Sequence, residues 1–142
     1  MWLTVLLYLS GAFTLCLGVL HVFLPALLDY RAIVLDRDPQ IKPPRPFRLW
    51  PTRYVATFAD RYGIIWVMNH AASSVLISIG LVDLLAAEWL RADTGRFVAL
   101  WIAGWWLVRA VSQLYIGRRV GDWAILLWFT ALGVIHLGVW LR

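Results

Sequence analysis

Four long apolar runs constrain this chain more than any other feature. They are Trp2–Leu28, Ile64–Ala87, Phe97–Ile116 and Trp123–Leu141. Each approaches or exceeds the roughly 20 apolar residues that cross a bilayer core as a helix. Within a bilayer the backbone must satisfy its own hydrogen bonds, which leaves helices for segments of this kind. The expected fold is an all-α membrane protein, one antiparallel bundle of four transmembrane helices. The runs and their connections use nearly all of the 142 residues, so a single membrane domain is expected. Only 15% of residues are charged, against about 25% in soluble domains. The net charge of +5 therefore reads as topology and lipid contact rather than nucleic-acid binding.

The distribution of bases sets the expected orientation. The first loop, 29–63, and the third carry Arg31, Arg37, Lys42, Arg45, Arg48, Arg53, Arg61, Arg118 and Arg119. The opposite side has Arg91, Arg96 and Arg142. Basic residues collect on the cytoplasmic side. Loop 29–63 is therefore expected in the cytoplasm of a bacterial inner-membrane protein, with both termini outside. Trp2–Leu28 lacks a basic leader and a small-residue cleavage pattern, so it is read as a retained span. Pro39–Pro51 is proline-rich and reads as extended. In Thr52–Tyr62, the spacing of Tyr54, Phe58 and Tyr62 predicts a short interfacial helix.

The polar residues inside the runs point to function, because ionisable groups in a membrane are costly and usually face a bundle interior. They are His21, Asn69, His70, Arg109, Gln113 and His136. Tyr8, Gly11, Thr14, Gly18, His21 and Pro25 make a small and polar stripe on the first span, suited to close helix packing. Depth counting at about 1.5 Å per residue puts His21, His70, Arg109 and Gln113 in the cytoplasmic half, with His136 near the other side. Asn69 shares the face of His70.

Three chemistries fit this set. Interhelical hydrogen bonding is the plainest. A cofactor pocket is the second: His21 and His70 would be the metal ligands if haem b binds, or would hold a quinone with Arg109, Gln113 and Asn69. A proton or small-solute path is the third. Neither a zinc motif nor a defensible Ser–His–Asp arrangement is evident, so no enzyme activity is expected. Cys16, the lone cysteine, allows no disulfide within the chain. The ten tryptophans divide between span ends, as interfacial anchors, and deeper positions such as Trp101, Trp105, Trp106 and Trp128.

Pro25–Arg31 (PALLDYR) and Gly104–Tyr115 (GWWLVRAVSQLY) resemble an uncharacterised family of small bacterial four-span proteins. The pattern W-x-x-R-x-x-x-Q falls on Trp106, Arg109 and Gln113. The resemblance implies the four-span fold and no particular activity. The function expected first is a small accessory subunit packing against a larger, energy-converting membrane complex. A stand-alone haem b or quinone protein and a transporter are the alternatives.

Overall fold

The computed structural model describes residues 2–30, 47–49, 52–54, 58–115 and 120–142. Those residues are overwhelmingly helical. In chain order they form α1 (Trp2–Leu27), strands β1 (Phe47–Leu49) and β2 (Thr52–Tyr54), α2 (Phe58–Leu85), the short α3 (Ala87–Arg91), α4 (Arg96–Gln113) and α5 (Val120–Trp140).

Three helical stretches are long and apolar enough to cross a membrane: Trp2–Leu27, Tyr62–Leu85 and Val120–Trp140. The third sequence run forms α4 but does not reach that mark. At 18 residues it is short, and Arg96, Arg109 and Gln113 dilute its apolar content. In each of the three spans only 28% of the most apolar stretch is buried within the protein. Most of their side chains thus face outward, as expected of helices in an apolar solvent.

The helix ends have local causes. Helix α1 ends at Leu27, and two residues later Asp29 adopts φ 42°. Aspartate tolerates this left-handed conformation better than most residues, and it fits the position where glycine commonly stops a helix. Between α3 and α4, a β-carbon on Gly95 would fall on the carbonyl of Trp89, so this turn requires glycine. Pairing Asp93 with Arg96 at 2.9 Å tightens the same turn.

The loop differs from the sequence expectation. Thr52–Tyr54 is a strand, paired antiparallel with β1 so that Phe47 opposes Tyr54 and Leu49 opposes Thr52. Thr and Tyr favour strands. Phe58–Tyr62 is helical, but as the first turns of α2 rather than a separate helix. The extended reading of Pro39–Pro51 falls largely outside the described residues.

The contacts divide the chain into two compact units, Met1–Leu15 with Ile77–Arg142, and Cys16–Leu76. In the first, α1 and α2 run antiparallel through glycines. A β-carbon on Gly11 would lie 2.8 Å from Cβ of Asp83, and one on Gly80 would lie 2.7 Å from the Leu15 amide nitrogen. Backbones approach this closely only where side chains are absent. Helices α4 and α5 also run antiparallel. Gly133 receives Leu107, Trp106 meets Phe129 at 5.1 Å between ring centroids, and Gln113 donates to Asp122 at 3.4 Å. Leu7, Ile79, Leu90, Ile102, Trp106 and Val139 fill the centre of this unit.

In the second unit, Gly18, Pro25, Asn69, Ser73 and Leu76 are buried. Of the stripe expected on α1, Gly11, Thr14, Gly18 and Pro25 are buried and His21 is half-buried, whereas Tyr8 is exposed. Leu7 and Ser10 occupy the buried phase at that end.

Candidate functional site

The most enclosed polar group joins three helices of the first unit. Asp83 on α2 accepts at Oδ2 from the Ser10 hydroxyl on α1, at 2.8 Å. Its Oδ1 lies 2.9 Å from Nε2 of His136 on α5. His136 Nδ1 lies 2.8 Å from the Leu132 carbonyl one turn back. Asp83 and His136 have no exposed surface, and Ser10 has almost none.

Hydrogen counting fixes the chemistry. A carbonyl only accepts, so His136 Nδ1 carries a hydrogen. The contact between Nε2 and Oδ1 holds one more. It belongs to an imidazolium facing a carboxylate, or to a carboxylic acid facing a neutral imidazole. Both distributions have zero net charge, which is what a buried site in an apolar surround requires. The serine donates to the carboxylate and does not meet the imidazole, so this is not the nucleophile–base geometry of a hydrolase. Among the described residues, no set of three metal-ligating side chains comes together here or elsewhere.

Sequence reasoning set His136 apart from the other polar residues and did not include Ser10 or Asp83 among site residues. The signal was available in the same depth count. Asp83 lies four positions from the end of the run Ile64–Ala87, and His136 five from the corresponding end of its own run. Equal depth on two spans, with one acid and one base, marks a pair.

The second group belongs to the unit Cys16–Leu76. Asn69 donates through Nδ2 to the His21 carbonyl at 2.7 Å, so these two site residues do come together. Asn69's own carbonyl accepts from the Ser73 hydroxyl at 2.8 Å. His21 donates from Nδ1 to the Leu17 carbonyl at 3.1 Å. His70 follows Asn69 on α2, and Trp66 packs edge-on against its ring with centroids 4.0 Å apart. The His70 Nε2 atom is buried and has no hydrogen-bond partner among the described residues.

The third group lies in the first unit, along α4 and α5. The Arg109 guanidinium carbon sits 5.6 Å from the centroid of the Phe129 ring. An arginine over an aromatic face is attracted by the ring quadrupole. Gln113, four residues on, is buried and donates to Asp122 rather than joining Arg109. One turn before Arg109, the fully buried Trp106 meets Trp105 edge-on and Phe129 at a tilt, and its indole N–H has no partner among the described residues.

Comparison of the chain with protein-family models, curated proteins and solved structures gave no match. Function must therefore be argued from these three groups and from the surfaces around them.

Proposed function

We propose that the chain is a four-span bacterial inner-membrane protein, an antiparallel bundle acting as a small non-catalytic subunit beside a larger, energy-converting membrane complex. The fourth span in this reading is α4. Its support is its run alongside α5: partners fall from Gly133 to Phe129 to Asp122 as α4 rises from Leu107 to Arg109 to Gln113. A helix laid along an apolar span shares its slab of the membrane.

One observation carries the subunit reading. Phe13 and Trp128 form an aromatic pair, with centroids 4.7 Å apart, near the middle of their helices. Phe13 is 39% exposed and Trp128 47%. Tryptophan facing lipid favours the membrane interfaces. A half-exposed aromatic pair at mid-helix supplies packing area for another protein. The test is a photo-crosslinking residue at Trp128 in intact membranes. A discrete adduct with one larger protein supports the reading; adducts with lipid alone remove it.

A second reading, a haem b or quinone site at His21 and His70, draws on the unpartnered Nε2 of His70. Its discriminator is the visible spectrum of the purified protein, or extraction of bound quinone.

A further inference from the structure

We infer that Arg109 is the contact through which the chain recognises its partner, a transmembrane helix carrying an aspartate or glutamate within the bilayer. The inference rests on the accessory-subunit reading and specifies the chemistry of what that subunit meets.

Arg109 is half-buried, and its guanidinium has no hydrogen-bond acceptor or acid among the described residues. Its one close neighbour of note is the Phe129 ring. A ring face attracts the cation but leaves its five N–H donors without acceptors. A cation in a membrane-spanning segment calls for an anion or for water.

Depth narrows the choice. Gln113 and Asp122 meet near the common end of α4 and α5. Phe129 is seven positions beyond Asp122, about 10 Å deeper along the helix. With its guanidinium carbon 5.6 Å from the Phe129 ring, Arg109 lies nearer the level of Phe129 than that of the Gln113–Asp122 end. A phospholipid phosphate belongs at the level of the surface. A carboxylate on a neighbouring span can lie at the level of Arg109, and it matches a guanidinium with two parallel hydrogen bonds.

The adjoining surface suits a helix. Trp101, Gly104, Val108 and Val111 follow one another at helical spacing along the outward side of α4, and all are exposed. A β-carbon at Gly104 would meet nothing within 4 Å, so the stripe has a notch between Trp101 and Val108. A small residue facing outward lets a second helix approach closely. Arg109 lies round the helix from this stripe, past Ser112 and Trp105 and beside the buried face, and its long side chain would reach a carboxylate on the docked helix.

The test uses the full-length tagged chain, extracted from its native membranes in mild detergent, as wild type, Arg109→Lys and Arg109→Leu. The proposal expects a partner retained by wild type, weakened by Arg109→Lys and reduced about tenfold or more by Arg109→Leu. Thermal unfolding of each purified variant shows that the fold survives. Capture alone does not count. An intramembrane Asp or Glu of the captured protein is changed to Arg and combined with Arg109→Asp, and this swap should restore the complex that either change alone removes. A partner held equally by Arg109→Leu overturns the proposal and leaves the subunit reading intact. Absence of any partner with wild type overturns both. Anionic phospholipid that co-purifies with wild type and is lost in Arg109→Leu, while the complex is unchanged, assigns the residue to lipid and overturns it too.

Discussion

His136 and Asp83 meet across 53 positions of sequence, Nε2 to Oδ1 at 2.9 Å, with neither side chain exposed. With Ser10 they fasten α1, α2 and α5 to one another at a single point. Such a pair contributes less to stability than its short distance implies, because both groups give up water to form it. Its loss by halves is another matter.

Replacing one member should leave the other buried and unanswered. Asp83→Leu or His136→Leu should destabilise the protein by about 3–5 kcal/mol. The double replacement should cost clearly less than the sum. Asp83→Asn should be mild, within about 1 kcal/mol, because the new amide accepts from Ser10 and donates to a neutral imidazole. Unfolding of all four variants in one detergent gives the comparison. Additive single and double losses would show that the residues act independently.

The close crossing of α1 and α2 gives a steric prediction. Gly11→Ala and Gly80→Ala each place a methyl group within 3 Å of the opposing helix. They should lower stability by about 1–3 kcal/mol. Gly104→Ala faces open space and should be neutral. A melting-temperature series over the three variants separates the cases, and equal effects at Gly80 and Gly104 would contradict the packing described.

Orientation can be read by labelling. Cys16 is exposed on its helix, so a Cys16→Ser background is needed. In that background Gln40→Cys should react only with reagents admitted to the cytoplasmic side, following the charge bias. Labelling from outside would invert the topology.

The histidines of the second unit carry a spectroscopic prediction. If the cofactor reading holds, the purified protein shows a Soret band or yields quinone, and His70→Ala loses it with the fold retained. His136→Ala should not remove the cofactor by the same route, because both His136 ring nitrogens are engaged by Leu132 and Asp83. A colourless wild-type protein that yields no quinone withdraws the reading.

Length and hydropathy made α1, α2 and α5 legible in the sequence, because about 20 apolar residues leave few alternatives. Helix α4 was legible as a helix and only partly as a span: its two arginines and Gln113 offset its apolar residues. Phase along α1 was harder. Spacings of three and four both satisfy a helix, so a stripe starting at Tyr8 or at Leu7 fits equally well until a neighbour is present. Tyr54, Phe58 and Tyr62 share a helical spacing, but Thr52–Tyr54 pairs instead with Phe47–Leu49 across only two residues, and strands of three residues are too short for a period-two alternation to show. The Asp83–His136 pair was within reach by matching depths. What depth could not give was azimuth, the direction in which each side chain leaves its helix, and only packing decides that.

The run of α4 along α5 also has an order in time. Synthesis delivers Arg109 before Phe129, the ring that faces it, has been made. Until α5 emerges, α4 holds two arginines, Arg96 and Arg109, in a sequence less apolar than the spans of α2 and α5. If α4 is the fourth span, its settled position depends on α5, which follows it in the chain, and the two helices are expected to enter the bilayer together as a hairpin. Stopping synthesis after Gln113 should then leave α4 at the membrane surface, which makes α5 a checkpoint on the topology of the helix before it.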